Sequence, residues 1–234
     1  MQQYFAKNKN LDLEDGDYHH IKNVMKMKRG DLIKVVYDNV IYTCKLNNVS
    51  NKSTFDIINK EEKTDKKLSV SVAFSLIKEQ KLNYLLQKTT ELGVNKLIPI
   101  ETKRSVVKIE GNKEKTKIDR WKKICKEASE QSFRADIPEI SDILTLKNLV
   151  NLDYDLKLVC SLNKNTKNIK KILEKNNKCV KILLVVGPEG GFDPLEEEYL
   201  LENGFKSVSL GENVLRAETA PVVALSMINY EFMR

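Results

Sequence analysis

Residues 187–192, Gly-Pro-Glu-Gly-Gly-Phe, are the part of this sequence whose types and spacing most directly indicate chemistry. They follow the apolar run 182–186 and precede a second unusual block, residues 215–220 (Leu-Arg-Ala-Glu-Thr-Ala). A buried strand that ends in a glycine-rich turn places backbone N–H and C=O groups at the carboxyl edge of a sheet, where open α/β folds bind ligands. The two blocks therefore predict a cofactor site.

The glycine loop differs from the familiar nucleotide-binding loops. It is neither G-x-G-x-x-G nor G-x-x-x-x-G-K-[ST], and Pro188 has no N–H to donate to a phosphate. The carboxylate of Glu189 would repel a phosphate, so the loop suits a cationic or neutral ligand. The alternative is an ordinary strand-to-helix turn, with Asp193 as the N-cap and Pro194 at the first helical position. That alternative does not account for a glutamate between glycines.

The elements that must position these loops alternate between strands and helices. We expect strands at 68–77, 96–100, 156–161, 181–186 and 205–210. Apolar residues at helical spacing predict one helix that stops at Gly93 and a second helix with the stripe Ile118, Trp121, Cys125, Ala128 and Ser132. This alternation predicts an α/β fold with a mainly parallel sheet and without internal repeats.

The N-terminal part has a different pattern. Residues 32–37, 40–46 and 54–58 are rich in β-branched and aromatic residues, and Asp38-Asn39 is short enough for a hairpin. We expect a small antiparallel β unit here. The charged stretch 59–67 is the predicted linker between a domain at 1–67 and a domain at 68–234.

Composition excludes several classes of protein. The 234 residues, 41% of them hydrophobic, can build one large or two small globular domains. No apolar run approaches the roughly 20 residues that span a bilayer, and the start lacks a signal peptide, so we expect a cytoplasmic protein without membrane contact. The four cysteines lie far apart without a C-x-x-C pair. We therefore expect reduced, mostly buried thiols and no metal site.

The net charge of +7 leaves nucleic-acid binding open, because lysine supplies most of the basic residues. The rarer arginines are more informative, since a guanidinium binds phosphates and carboxylates bidentately. Arg120, Glu127, Gln131 and Arg134 share one face of the second helix. This face is either a solvated surface with a Glu130–Arg134 pair or a surface that orients a substrate or phosphate. The spacing of the residues does not distinguish these two interpretations.

Together these motifs resemble the bacterial 16S ribosomal RNA uracil N3-methyltransferases of the SPOUT superfamily. The resemblance covers almost the whole chain from residue 68. It rests on residues 187–192, Glu196, Leu210-Gly211, 215–220, Gln87-Lys88, Glu91-Leu92-Gly93, Arg104-Ser105, Arg120-Trp121, Glu127-Ala128, Gln131-Ser132, Arg134 and Pro138.

The N-terminal part resembles the family more loosely, through Tyr4-Phe5, His20 and Gly30-Asp31. Gln3 and Lys26 stand where the family usually has arginine, and Ala217 stands where threonine is usual. A lysine at position 26 keeps the positive charge but lacks the planar guanidinium with which arginine binds bidentately.

The resemblance implies an N-terminal PUA-like β-barrel that grips RNA and a C-terminal α/β domain with a trefoil knot. It also implies a homodimer that acts on 16S rRNA of the small ribosomal subunit and binds S-adenosyl-L-methionine in the knot. The cofactor-binding residues that it implies are Leu162, Gly187, Pro188, Glu189, Gly190, Gly191, Leu210, Gly211, Asn213, Leu215, Arg216 and Thr219.

Methyl transfer from a sulfonium requires positioning rather than a metal or a covalent intermediate. Uracil N3 carries a proton that a base must remove, and Glu189 and Glu218 are the candidate bases, with Arg216 stabilising the uracil oxygens. Each glutamate also has a structural alternative: Glu189 in shaping the loop and Glu218 at a helix N-terminus. The expected RNA-binding residues are His20, Lys26, Lys88, Arg104, Arg120 and Arg134.

Other functions remain open. A SPOUT ribose 2′-O-methyltransferase would share the fold, although residues 187–191 and 215–220 resemble the base-modifying group. A non-catalytic RNA-binding protein would not need an intact glycine loop. An NAD-dependent enzyme is disfavoured because the dinucleotide fingerprint is absent. His20 is expected either to contact RNA or to be a packed polar residue.

Overall fold

The computed structural model describes residues 1–63, 68–163 and 166–232. The chain divides into two compact units, one of Met1–Asp65 with Lys126–Ile137 and one of Lys66–Cys125 with Pro138–Arg234. The predicted domain boundary after residue 67 lies outside the described residues, and so does the C-terminal Arg234. Because Lys126–Ile137 belongs to the first unit, that unit is discontinuous in sequence.

The first unit is built on a four-stranded sheet in the order β1-β2-β3-β4. Its strands are β1 (Gln2–Phe5), β2 (Leu32–Tyr37), β3 (Val40–Asn48) and β4 (Thr54–Glu62). The three predicted strands are confirmed as antiparallel neighbours. The fourth, β1, pairs parallel to β2, so the sheet is mixed. A parallel pairing across almost thirty residues leaves no local signal in the sequence.

The turn between β2 and β3 confirms the predicted hairpin. Asp38 and Asn39 have φ values of 49° and 59°, the left-handed pair that a type I′ turn requires. The linker prediction is wrong at its start, because β4 continues to Glu62 and pairs Lys60 with Tyr42. Charged side chains suit this exposed edge strand, where Lys60 also pairs with Glu62. Residues 64–67 of the predicted linker lie outside the described residues.

Helical and apolar residues close one side of this sheet. Helix α1 (Asp15–His19) continues into a π-helical turn, His20–Val24. The core contains Tyr4, Leu11, Leu13, Tyr18, Ile21, Ile33, Val35, Cys44 and Leu46. The segment Lys126–Ile137 is held in the same unit: Lys126 Nζ lies 2.9 Å from Asp17 Oδ1, and Gln3 Nε2 donates to the carbonyl oxygen of Arg134 at 2.6 Å.

The second unit contains a seven-stranded parallel sheet in the order β7-β6-β5-β10-β8-β11-β9. The strands are β5 (Ser69–Ser75), β6 (Lys96–Ile100), β7 (Glu139–Ile140), β8 (Leu156–Cys160), β9 (Lys167–Asn168), β10 (Lys181–Val186) and β11 (Lys206–Ser209). The five predicted strands and the parallel sheet are confirmed, within two residues at each end. The two short edge strands, β7 and β9, were not predicted.

Helices cover both faces of this sheet. They are α2 (Glu79–Glu91), α3 (Gly111–Gln131), α4 (Leu146–Val150), α5 (Ile169–Lys175), α6 (Pro194–Glu202) and α7 (Ala220–Phe232). The two predicted helices are confirmed as α2 and α3, and α3 contributes residues to both units. No helix of the described residues is both long and apolar enough to cross a membrane.

Strand β10 shows why the sequence around residue 184 is apolar without alternation. Ile182 and Leu184 pack into a core on one face of the sheet, and Leu183 and Val185 pack into a separate core on the other face. Burial on both faces is typical of a central parallel strand. Because β10 lies between β5 and β8, the glycine loop that follows it emerges in the middle of the carboxyl edge of the sheet.

Candidate active site

A cavity of about 520 Å³ lies at the carboxyl ends of three adjacent strands. Cys160 ends β8, Val186 ends β10 and Ser209 ends β11, and all three residues line the cavity. Its size falls within the roughly 300–1,000 Å³ typical of small-molecule sites. We call it the glycine-loop cavity, because residues 187–192 form one of its walls.

Close packing explains the first glycine of the loop. A Cβ on Gly187 would lie 3.1 Å from two ring carbons of Phe192, and Phe192 is buried in the core on one face of the sheet. Gly191 has a φ of +67°, and its N–H donates to the carbonyl oxygen of Pro188 at 2.9 Å. The loop therefore folds back on itself in a conformation that strongly favours glycine.

The N-terminus of α6 anchors the end of the glycine loop. The prediction that Asp193 is the N-cap is confirmed, since its side chain accepts from the N–H of Leu195 at 3.2 Å, with Pro194 in the first turn. Glu196 completes a capping box by accepting from the N–H of Asp193 at 3.1 Å. Its other oxygen accepts from the N–H of Lys103 at 2.7 Å. Glu196 thus connects α6 to the segment that follows β6.

The same segment carries Arg104, which lies against the glycine loop. Arg104 Nη1 donates to the carbonyl oxygen of Gly190 at 3.0 Å, and Nη2 lies 3.9 Å from Asp193 Oδ2. Lys103 Nζ contacts the other carboxylate oxygen of Asp193 at 3.2 Å. Arg104, predicted as an RNA contact, is therefore also a wall of the glycine-loop cavity.

Glu189 forms an ion pair at the edge of the cavity. Lys81 Nζ, from the first turns of α2, lies 3.0 Å from its Oε1. Burial acts to raise the pKa of Glu189, but hydrogen bonds from its own backbone N–H and from Lys81 outweigh burial, so its pKa lies below its usual range. Glu189 is thus a stable carboxylate at neutral pH and a weak proton acceptor. Nothing in the sequence pattern singled out Lys81.

The loop between β11 and α7 forms the opposite wall of the cavity. The predicted residues Leu210, Gly211, Asn213, Leu215 and Arg216 all line it. The carbonyl oxygen of Arg216 accepts from the N–H groups of Thr219 and Ala220 at 2.9 Å each. Its guanidinium forms no hydrogen bond or ion pair with any residue that the structure describes, so all five of its N–H donors remain for a ligand.

Two predicted residues are not among those that line the cavity. Thr219 lies in the turn that leads into α7, and Glu218 precedes it. Glu218 is 8% exposed, and its Oε2 has no hydrogen-bond partner within the described part of the chain. Neither residue is therefore in the wall of the cavity, although both directly follow Arg216 and Ala217, which line it.

The loop after β8 completes the cavity with residues that the sequence analysis mostly missed. Leu162 was predicted and lines it, together with Ser161 and Glu197. Ser161 Oγ donates to Glu197 Oε1, which ties this loop to α6. Cys160 also lines the cavity, and burial raises the pKa of its thiol to about 12. The only sequence signal for Glu197 was its position in the acidic first turn of α6.

In the first unit, the residues predicted to bind RNA have different environments. The Nδ1 of His20 lies 3.0 Å from the hydroxyl of Tyr4, whereas Lys26 is exposed, with a φ of 49°. Arg134 is 7% exposed and pairs with Asp136, with 2.7 Å from Nη2 to Oδ2. Glu130, considered as a partner of Arg134, lies 3.0 Å from Lys126 Nζ.

In the second unit, the remaining predicted RNA contacts belong to helices. Lys88 of α2 pairs with Glu91 at 2.7 Å. Arg120 of α3 is exposed and pairs with Glu79. Among the described residues, no cluster of three or more histidines, cysteines, aspartates or glutamates could hold a metal ion.

Comparison with known proteins identifies the family. The model of the RNA methyltransferase domain matches residues 64–229, and that of the RNA methyltransferase PUA domain matches residues 13–58. The protein named ribosomal RNA small subunit methyltransferase E of Bacillus subtilis is 35% identical over 249 aligned positions, which cover 99% of this chain and 97% of the relative. Its namesake in Mesomycoplasma hyopneumoniae is 34% identical, with coverages of 89% and 88%.

Two solved structures share the fold. A ribosomal RNA small subunit methyltransferase E of Neisseria gonorrhoeae, bound to S-adenosyl methionine, has a TM-score of 0.88 at 25% identity. A methyltransferase of Legionella pneumophila, in complex with the same cofactor, has a TM-score of 0.87 at 28% identity. Each superposition covers 98% of this chain and 97% of the other. The chain therefore belongs to the RNA methyltransferase family that includes the ribosomal RNA small subunit methyltransferase E proteins, and it carries that family's N-terminal PUA domain.

Proposed function

We propose that this chain transfers a methyl group from S-adenosylmethionine to N3 of a uridine in 16S ribosomal RNA of the small subunit. The observation that carries the proposal is the glycine-loop cavity, which both predicted cofactor loops line at the carboxyl edge of a parallel sheet. The names of the curated relatives and the cofactor bound to two structural relatives support it.

The lining of the cavity fits the proposed cofactor. Leu162, Leu210 and Leu215 offer apolar surface for a flat purine, and the glycine loop offers backbone groups for its polar edge. Glu189 places a carboxylate at the cavity, where a sulfonium or ammonium would be attracted. Arg104 supplies the opposite charge for the carboxylate of a methionine.

These residues also have separate roles in the proposed reaction. S-adenosylmethionine supplies, when bound, a methyl group on a positively charged sulfur. Because Glu189 is paired with Lys81 and has a lowered pKa, we assign it to holding positive charge rather than to removing a proton. Arg216 has unused donors and stabilises the uracil oxygens as N3 becomes negative, so the N3 proton is lost more easily to solvent. Glu218, the other predicted base, is buried and does not line the cavity.

The proposal includes the architecture that the family resemblance implies. We infer a SPOUT trefoil knot around β10, a PUA-like β-barrel in the first unit, and a cytoplasmic homodimer. Leu162 and Val214, on the lining of the cavity, are 69% and 73% exposed. Large apolar side chains so exposed beside a binding site favour cover by a second subunit. A dimeric mass in light scattering is the expected result, and a monomer would contradict this part of the proposal.

RNA contact is assigned to residues in both units. Lys26, His20 and Arg134 belong to the first unit, and Lys88, Arg104 and Arg120 belong to the second. Of these, Lys26 is exposed and forms no ion pair with any residue that the structure describes. Replacing such a lysine with alanine should weaken binding uniformly across RNA sequences and reduce its salt dependence.

The decisive experiment combines cofactor binding with mapping of the methylated atom. Calorimetry measures S-adenosylmethionine binding to the wild type, to Gly190→Val and to Arg216→Ala, with Arg29→Ala as a charge-matched control. Tritiated methyl is then located in unmodified small-subunit RNA after digestion to nucleosides. We expect saturable binding, lost in Gly190→Val, and label at uracil N3 that Arg216→Ala reduces about a hundred-fold or more, by analogy with the loss of about 2.7–4 kcal/mol when one anion-stabilising donor is removed.

The other outcomes separate the alternatives. Label at a ribose 2′-oxygen would identify a 2′-O-methyltransferase of the same fold. A wild-type protein that binds RNA but not S-adenosylmethionine would be a non-catalytic RNA-binding protein. Either result contradicts the proposed reaction.

A further inference from the structure

A second cavity, of about 270 Å³, lies in the same unit, and the proposed function does not use it. Apolar side chains form much of its lining, and they come from four different parts of the chain. The contributors are Leu76 and Ile77 after β5, Leu82 of α2, Val107 and Ile109 after β6, and Trp121 of α3. We call it the Trp121 cavity.

The Trp121 cavity and the glycine-loop cavity have two walls in common. In α2, Lys81 lines the glycine-loop cavity, while Glu79 and Leu82 line the Trp121 cavity. In the segment after β6, Arg104 lines the first and Val107 lines the second. Because β5 and β10 are parallel neighbours, the residues that follow each of them reach the same edge of the sheet. The two cavities therefore lie at the same edge of the sheet and are lined by neighbouring residues of α2 and of the segment after β6.

The lining of the Trp121 cavity combines apolar surface with an unused hydrogen-bond donor. Trp121 is 2% exposed, and its indole N–H donates to no residue that the structure describes. An indole N–H usually finds an acceptor in a folded protein, so a flat ring that carries an acceptor would suit this lining. Its volume lies below the roughly 300–1,000 Å³ typical of a complete small-molecule site, which fits one ring system rather than a whole cofactor.

The charges around this cavity are mainly positive. Lys108, Lys113 and Lys117 line it, and Arg120 pairs with a glutamate of its wall. Two carboxylates face these four cations: Glu79, which pairs with both Lys117 and Arg120, and Glu110, which pairs with Lys113. Lys108 is exposed and has no ion pair among the described residues. A polyanionic chain is the occupant that this excess of positive charge favours.

We propose that the Trp121 cavity receives one base of the RNA substrate, a neighbour of the nucleotide whose own base lies at the glycine-loop cavity. The base packs against the apolar lining and accepts a hydrogen bond from Trp121, and Lys108 contacts the adjoining phosphate. Base contacts on aromatic and apolar side chains are the usual means of holding single-stranded RNA. The assignment of RNA as the occupant rests on the proposed function.

The experiment uses Trp121 as its own reporter, because the chain contains a single tryptophan. Tryptophan emission is measured while a ten-nucleotide oligouridylate is added, and anisotropy of the same oligonucleotide with a fluorescent label gives its Kd. The test variant is Val107→Asp, which places a negative charge in the lining. The matched control is Val106→Asp, since the neighbouring Val106 is 72% exposed and does not line the cavity.

We expect a saturable change in Trp121 emission that follows RNA binding in the wild type and in Val106→Asp. Val107→Asp should weaken RNA binding about ten-fold, the loss of one base contact, and should abolish the emission change. Val107 packs against the core, so the melting temperature of Val107→Asp should lie below that of Val106→Asp. A cooperative thermal transition and calorimetric binding of S-adenosylmethionine equal to that of Val106→Asp should show that the variant is folded at the temperature of the binding experiment.

Three results would overturn the proposal. They are emission that stays constant while anisotropy shows bound RNA, equal Kd values for the two aspartate variants, and a wild-type protein that does not bind the oligonucleotide. Failure of the proposed function has a different signature, because it would appear as absent S-adenosylmethionine binding or absent methyl transfer while Trp121 still reports bound RNA.

Discussion

Arg104 Nη1 lies 3.0 Å from the carbonyl oxygen of Gly190, so an arginine that follows one strand fixes the glycine loop that follows another. The aliphatic part of the same side chain lies against the glycine, since a Cβ on Gly190 would be 3.7 Å from Arg104 Cδ. The loop is therefore held by both a charged donor and packing.

Replacing Arg104 with alanine should weaken S-adenosylmethionine binding about five-fold, because one charge-assisted hydrogen bond on an exposed surface contributes about 1 kcal/mol. Calorimetry measures the change. Arg29→Ala, which removes an exposed arginine from the other unit, should leave the Kd unaltered. An unchanged Kd in Arg104→Ala would show that the loop keeps its conformation without this contact.

Gly187→Ala should destabilise the loop, because its methyl group would press on the ring of Phe192 at 3.1 Å. Overpacking of this kind costs about 1–3 kcal/mol, so the melting temperature should fall and cofactor binding should weaken. Gly16→Ala is the control, since a Cβ there has no atom within 4 Å and alanine favours the helix. Equal melting temperatures for the two variants would contradict the packing argument.

Glu196→Ala should lower both stability and cofactor affinity. The variant loses the hydrogen bonds to the N–H groups of Asp193 and Lys103 and opens the capping box of α6, which should cost about 1 kcal/mol of unfolding free energy. Denaturant unfolding measures this value. Glu198→Ala, an exposed position on the same helix, should remain within error of the wild type. If both variants behave alike, Glu196 does not anchor the segment after β6.

Lys81→Ala should shift the acid limit of S-adenosylmethionine binding to higher pH. Glu189 attracts a cationic ligand only as a carboxylate, so affinity is lost as the pH falls through its pKa. The backbone N–H of Glu189 and the side chain of Lys81 together hold that pKa below its usual range, so without Lys81 the pKa rises and the loss begins at a higher pH. Measuring the Kd of S-adenosylmethionine at a series of pH values in the wild type and in Lys81→Ala gives the pH at which each loses affinity.

The control for this experiment is Glu189→Gln, which should remove the acidic dependence in either background. A pH profile of Lys81→Ala that coincides with that of the wild type would show that the ion pair does not control the charge of Glu189.

Local patterns in the sequence predicted much of the second unit. The boundaries of β6 and β10 match residue for residue, because each is a short run of buried residues with clear ends. The order of the strands was not predictable, since the position of β10 between β5 and β8 depends on contacts between residues far apart in the chain. The short edge strands β7 and β9, of two residues each, are below the length at which periodicity can be seen.

In the candidate site, too, local residue patterns were predictable and long-range contacts were not. The glycine loop and the loop before α7 were found because their residue types are unusual for ordinary turns. Lys81 and Ser161 were missed, because a lysine in a helix and a serine after a strand are common and become part of the site only through partners more than thirty positions away. The hydrogen bond from Arg104 to Gly190 was equally invisible, although the arginine itself was singled out.

The discontinuity of the first unit has a consequence for the order in which the protein can mature. Its last piece, Lys126–Ile137, follows sixty residues that belong to the second unit. During synthesis from the N-terminus, Asp17 and Gln3 leave the ribosome long before their partners Lys126 and Arg134. The N-terminal unit therefore cannot be completed while it is the only part of the chain that has been made, and the two units must mature in overlapping periods rather than one after the other.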